Sequence, residues 1–528
     1  MRNLKFRIHR PSDGGVMRND ERGIALLTVL LALLLITAIG FGILFMANTE
    51  TAVNANYRDT QVGFFAMRSG LEEVRDRLRS NSINPLTLPT TMPGSAGSIV
   101  YITNPAGVTD VVAPATAGNA YFDDEFCHEA FTTSPLTNPG VNIPCPTSSA
   151  PPAGSVVNVA SVAPYTNTAA ALPFKWVRIT KKQNGTVANA PVDAAQPLSA
   201  EVCYNSMNSY EIPITAVPGG YASCTQAQAA AAGVSPVYIV TSLAITPKGT
   251  RRIGQYEVAG ISITPPPGAL GLDGPGATFS PRPSSNQFFI AGADSGAAGY
   301  AAWGGPGSCT PAGPGTVPAI GTGDAAGAAA VTASLTSNPN RSGNYTGTGG
   351  TPSVVNEGVG GNGLYGGGWA NPATLNNLVT SLSNGADVSY SCGIGSPCSP
   401  AGPVGTNANP QITFVNGDFN YGNSSGAGLL IVTGTLSFTG NATFNGLILV
   451  IGQGVFSESG GGNGGFNGSV FIAKTNSSTA PYAALASLGA PAIHWNGGGN
   501  SQIQYNSCWA NIGNQLHYAV ISTHEEMY

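Results

Sequence analysis

The alternation of apolar and polar positions changes style along the chain. Residues 24–47 read IALLTVLLALLLITAIGFGILFMA, twenty-four residues without a charge. As a helix rising ~1.5 Å per residue, that run spans the ~30 Å hydrocarbon layer of a bilayer. The pattern then turns amphipathic with no proline to break it. Over 48–80, Val53, Tyr57, Phe64, Phe65, Met67, Leu71, Val74 and Leu78 approximate a three-or-four spacing. Glu72, Glu73 and Asp76 share the other face with Arg68, Arg75, Arg77 and Arg79. One continuous helix is predicted over 24–80, about 80 Å long.

Residues 84–172 are rich in Pro, Ala, Thr, Ser and Val and predict loops with irregular β-structure. Asp123, Asp124, Glu125 and Glu129 read as an exposed acidic spot, since their spacing does not match a calcium-binding EF-hand loop. Strand patterns start at Phe174. FKWVRIT runs toward an Asn184-Gly185 turn, while 237–246 and 251–264 flank the turn Pro247-Lys-Gly-Thr250 as a hairpin. A small antiparallel sheet over 81–264, packed on the long helix, is the expectation. Pro265-Pro-Pro267-Gly268 reads as a stiff boundary, giving a linker at 265–269.

The third style fills 270–528. Asn371-Pro372 followed by Leu375, Leu378, Val379 and Leu382 predicts one short capped helix. Glycine then falls at 422, 428, 434, 440, 446 and 452, six apart throughout. Leu430, Leu436, Ala442 and Ile448 hold one position of the hexad, and Val432, Phe438, Phe444 and Val450 the position two later. Period-two alternation nested in period six means short strands meeting at glycine corners. Three such sides predict a coil that stacks 429–432 under 447–450, with 412–415 and 470–473 in neighbouring coils. This is the pattern of a β-solenoid.

Composition narrows the class. Charged residues are 9 % of the chain, against roughly 25 % in an ordinary soluble protein. Residues 270–528 hold three basic and nine acidic side chains. The net charge of −5 and the lack of a basic tract beyond the N-terminus set nucleic acid aside. Eight cysteines, all outside the apolar run, fit an oxidising compartment. Cys127/Cys145, Cys203/Cys224 and Cys392/Cys398 are candidate disulfides by proximity in sequence, leaving Cys309 and Cys508. Spacing does not fix the connectivity, and free buried thiols are the alternative.

Arg2, Lys5, Arg7, Arg10, Arg18 and Arg22 precede the apolar run. By the positive-inside rule the start faces the cytoplasm and everything after Ala47 is exported. A cleaved secretory signal would have a shorter apolar core and a small-residue cleavage site after it.

The junction DERG-IALLT, with Gly23 directly against the apolar run, resembles a type IV prepilin. So does the NTE…N-YR…Q—FFA–SGLEE pattern over 48–73, which is similar to the PilX-type pilus assembly family. The resemblance covers residues 17–80. It implies cleavage by a prepilin peptidase between Gly23 and Ile24, and a leader whose true start is Met17. Thr28 stands where major pilins carry Glu, which points to a minor subunit. Taken with the patterns above, the expected fold is α+β and all-β: a transmembrane and assembly helix, a pilin-like antiparallel head and a C-terminal β-solenoid displayed outward. The implied partners are other pilin subunits, the prepilin peptidase and the inner membrane before assembly, with the pilus or cell surface as destination. Two rivals stay open, a surface adhesin whose solenoid binds glycan and a type II secretion pseudopilin.

No enzyme, cofactor or metal is expected. Between 409 and 475 only Asp418, Glu458 and Lys474 are charged, and none stands two residues or one coil from another. Paired carboxylates for glycoside hydrolysis are therefore lacking there. Gly358-Val-Gly360-Gly-Asn-Gly363 matches a dinucleotide fingerprint only formally and reads as a loop. GGGNGGFNG at 460–468 lacks the Asp of calcium-binding repeats and reads as a loop between coils. His494, His517 and His524 with Glu525 and Glu526 lack a metal-site spacing, and the HEEMY end reads as a solvated tail. Trp495, Tyr505 and Trp509 read as an end cap in preference to a sugar platform.

Overall fold

The computed structural model describes residues 21–78, 86–92, 98–104, 110–116, 118–123, 156–158, 172–185, 191–229, 233–261, 263, 266–281, 288–302, 316–337, 339–366, 368–459, 462–496, 501–513 and 518–527. Contacts divide the chain into two units. One holds the residues up to Phe65 with Thr246–Thr250; the other holds Ala66–Ile245 with Arg251–Tyr528.

A single helix, Glu21–Arg77, runs through the N-terminal region for 57 residues. In the first unit its side chains are mostly exposed, and its turn partner is the hairpin tip. Asp59 accepts hydrogen bonds from the hydroxyls of Thr246, at 2.9 Å, and Thr250. In the second unit the helix buries Met67, Leu71, Val74 and Leu78, spaced four, three and four apart. Gly70 lies on the same stripe because a Cβ there would come within 2.4 Å of Ser242 Oγ and 2.8 Å of Val177. The expected apolar face is corrected in its first half: Val53, Tyr57 and Phe65 are 60–65 % exposed.

That stripe belongs with an eight-stranded sheet. Strands 156–158, 99–103, 176–181, 234–245, 251–260 and 518–527 lie side by side, with Val202–Asn205 and Tyr210–Pro213 paired beside 234–245. All pairings are antiparallel except the first. The expected hairpin closes with Ile245 opposite Arg251. The C-terminal segment is a correction to the reading of a solvated tail. Tyr518–Met527 forms a strand along Arg251–Gly260, with Val520 opposite Val258 and Glu526 opposite Ile253.

Two parallel sheets make up most of the remainder. In one, Gln411–Asn416, Ser425–Val432, Thr443–Gly452 and Gly465–Asn476 follow each other in register, with Ile412 beside Leu429, Leu429 beside Leu447 and Gly446 beside Gly468. In the other, Phe419–Gly422, Thr435–Thr439, Val455–Ser459, Ala492–Trp495 and Thr278–Ser280 do the same. Leu430, Val432, Phe438, Phe444, Ile448 and Val450 are buried in one apolar cluster. Gly428, Gly446 and Gly468 stack at positive φ, and a Cβ on Gly446 would lie 1.8 Å from the Gly428 carbonyl oxygen. Only glycine fits there.

The alternate residues Leu429, Ile431, Leu447, Leu449 and Phe471 are buried as well, on the opposite face. Helix Pro372–Asn384 covers them with Leu375, Leu378, Val379 and Leu382, and Asn371 caps it by accepting from Ala373 N and Thr374 N. Ile261, Ile263 and Ala519 belong to the same cluster, so the segment leaving the antiparallel sheet is packed against the parallel one. Leu270–Asp273 joins the stack out of sequence order, beside Gly465–Asn476. The glycine-rich 465–468 is part of that strand and not an inserted loop.

Candidate functional site

The largest chemical anomaly is the surface of the long helix. Leu26, Leu30, Leu34, Phe41 and Phe45 are 61–74 % exposed, and a helix this long and apolar is able to cross a membrane. The polar side chains within 24–47 are satisfied inside the helix. Thr28 Oγ1 donates to the carbonyls of Ile24 at 3.1 Å and Ala25 at 2.9 Å, and Thr37 Oγ1 to that of Leu34 at 2.8 Å. Such back-bonding leaves no hydroxyl to solvate in an apolar medium. Gly23 and Ile24 both lie in the first turn of the helix. Exposed apolar side chains continue past the apolar run to Val53, Tyr57, Val62 and Phe65.

The cysteines fall into place around the folded core. Cys203 is bonded to Cys224 and Cys392 to Cys398. Cys508 is also disulfide-bonded. Cys127, Cys145 and Cys309 lie outside the described residues.

Asp123 corrects the acidic-spot reading. It is 1 % exposed and 2.5 Å from Arg178 Nη1, itself 0 % exposed, and it accepts from the Tyr101 hydroxyl at 2.7 Å. Lys181 pairs with Glu201, and Lys182 with both Glu211 and Glu257, again with little exposure. Asp124, Glu125 and Glu129 lie outside the described residues. These pairs tie the strands of the antiparallel sheet to one another and to the loop that carries Asp123.

Asp418 accepts from the amides of Gly395 and Thr435, each at 2.6 Å, and Lys474 donates to Ser478 at 2.7 Å. Trp495 stacks on Phe456 with centroids 5.8 Å apart, and Trp509 lies 4.9 Å from Tyr300, both inside the core. His524 Nε2 lies 3.8 Å from Glu257 Oε1 and 2.9 Å from Ser522 Oγ, and among the described residues no group of three or more His, Cys, Asp or Glu is placed to hold a metal. His517 lies outside the described residues. Gly358–Gly363 does follow a short strand, Val354–Asn356, but no helix opens after it.

That loop belongs to a cluster the sequence reading missed. Asp273, Glu357 and Tyr365 are buried together, and each leaves one side-chain oxygen without a hydrogen-bond partner. Burial pushes the Asp273 carboxyl up to about 8. Burial also raises Glu357, against a hydrogen bond from Asn362, and raises the Tyr365 hydroxyl, to which both carboxylates add. The sequence signal was faint: two of the nine acidic residues in 270–528, 84 positions apart.

Compared with protein-family models, curated proteins and solved structures, the chain finds no match in any of the three.

Proposed function

We propose that the chain is a minor, pilin-like subunit of a type IV fibre, held in the inner membrane by its N-terminal helix until a prepilin peptidase cuts between Gly23 and Ile24. One observation carries this reading. Exposed apolar side chains run along the helix from Ile24 to Phe65, about 60 Å at ~1.5 Å per residue. A bilayer core of ~30 Å covers only half of that. The remainder, Val53, Tyr57, Val62 and Phe65, needs another apolar surface, and the helices of neighbouring subunits in a fibre core supply one. A plain membrane anchor has no use for it.

The C-terminal parallel sheets are read as a β-solenoid. Support comes from registers 17, 18 and 22 residues apart, as in Ile412 beside Leu429, Leu429 beside Leu447 and Gly446 beside Gly468. The glycine stack at 428, 446 and 468 supports it too. A structural role, not catalysis, suits a domain with few charged groups, of which Asp324, Asp387 and Asp418 accept from backbone amides.

The test separates anchoring from assembly. Val53→Arg with Phe65→Arg leaves the membrane-length run intact. The variant should be inserted and processed normally yet be absent from sheared fibres. Normal incorporation of the double variant would remove the assembly reading and leave only an anchor.

A further inference from the structure

We propose that Asp273, Glu357 and Tyr365 form a binding site for one hard divalent cation, calcium by preference, inside the C-terminal region. Three adjacent parallel strands build it. Leu270–Asp273 lies beside Ile320–Thr322, which lies beside Val354–Asn356, with Leu272 level with Thr322 and Thr322 level with Asn356. Leu270, Leu272 and Ile320 point into the apolar interior. Gly271, Asp273, Gly321 and Glu357 therefore alternate onto the opposite face.

On that face glycines keep the space open. A Cβ on Gly323 would lie 2.7 Å from Asp273 Oδ1, and one on Gly321 would lie 3.1 Å from Glu357 Cγ and 3.0 Å from the Tyr365 hydroxyl oxygen. The same hydroxyl is 2.2 Å from the Cβ position of Gly271. Three side chains from separate segments thus face one glycine-lined stretch of sheet, with both carboxyls near enough to act on the Tyr365 hydroxyl. The backbone fixes them: Glu357 N donates to Thr322 O, and Tyr365 N to Glu357 O, each at 2.8 Å.

The site is buried and unbalanced. Asp273 is 2 % exposed, Glu357 1 % and Tyr365 1 %, and Asp273 Oδ2, Glu357 Oε2 and Tyr365 Oη each lack a hydrogen-bond partner. Lys474, one residue beyond the partner of Asp273 in the adjoining strand, turns its ammonium to Ser478 instead. Without a counter-charge these two buried carboxyls ionise only at a large cost. A divalent cation makes their ionisation favourable, and carboxylate oxygens are its usual ligands; the Tyr365 hydroxyl offers a third oxygen beside them. The inference is independent of the fibre reading.

The test uses the full chain in detergent. After purification with calcium and removal of loose ions, elemental analysis should find one calcium per chain. EGTA should lower the unfolding midpoint, and calcium should restore it. Asp273→Asn with Glu357→Gln should abolish both the bound calcium and the EGTA effect. Should that variant fail to fold, Tyr365→Phe, which removes one donor, should weaken calcium binding about tenfold or more. It should also lower terbium emission sensitised through Tyr365. A wild-type chain without divalent metal, whose midpoint ignores EGTA, calcium, magnesium and manganese, would overturn the proposal. So would calcium retained by the double variant, or an affinity untouched by Tyr365→Phe.

Discussion

The amide of Asn441 donates to the side-chain oxygen of Asn423 at 2.9 Å, and the Asn441 side chain accepts from the amide of Asn463 at 2.7 Å. Each asparagine thus serves the corner that lies next to its own, 18 and then 22 residues further along the chain. A backbone amide at a sharp corner has no strand partner and needs one from a side chain. Asn441→Ala strips the acceptor from Asn463 N and should destabilise the protein by ~1 kcal/mol. Asn441→Asp, which keeps an acceptor, should cost less. Urea unfolding of the two variants measures the difference, and equal losses would mean the ladder is incidental.

Phe438 is 1 % exposed and touches Tyr421, Phe456 and Phe466 in the apolar cluster. Its neighbour Thr439 is half-buried at the rim. Phe438→Ala should cost ~3–5 kcal/mol, and Thr439→Ala should stay within ~1 kcal/mol. Comparable losses at both positions would contradict the inward alternation.

Much of this core was legible because glycine marks it. The six-residue spacing predicted the pairing of 429–432 with 447–450, and Leu429 does lie beside Leu447. The capped helix was legible from Asn371-Pro372 and its apolar spacing. Tertiary partners were not. Continuous runs such as LLIV are buried on both faces because helix 372–384 and Ile261 and Ile263 cover the second one, and a run of that kind carries no sign of its cover. HEEMY looks solvated because its partner strand is more than 250 residues earlier. Asp123 looked exposed because its compensating Arg178 lies 55 positions away. The helix at 48–65 looked like a packed face, but periodicity alone does not say whether an apolar stripe meets its own chain or another.

The C-terminal strand ties the antiparallel and parallel sheets of the second unit together. Tyr518–Met527 pairs with Arg251–Gly260, and Ala519 lies in the same apolar cluster as Leu429 and Ile431. Deleting 518–528 should therefore destabilise both the antiparallel and the parallel sheets. Calorimetry of the intact chain should show them unfolding in one transition. Two well-separated transitions, with the deletion affecting only one, would contradict this coupling.

Asp123 and Arg178 are both without exposure in their side chains. Asp123→Asn keeps the shape but leaves a buried guanidinium without its counter-charge, and should cost ~3–5 kcal/mol. Replacing both residues by apolar ones of similar volume should cost much less than the single change. A double-mutant cycle on the unfolding midpoint reads the coupling. Additive losses would show that the two charges do not depend on each other.

The most direct measurement concerns the N-terminus. Gly23 and Ile24 lie together at the start of the helix, where the apolar run begins. Membrane-extracted protein from a peptidase-competent host should give a mature N-terminus at Ile24, by sequencing and by intact mass. Gly23→Glu should block the cut and leave the leader attached. A native N-terminus near residue 48, or an uncut leader in that host, would contradict the account of a pilin-like subunit.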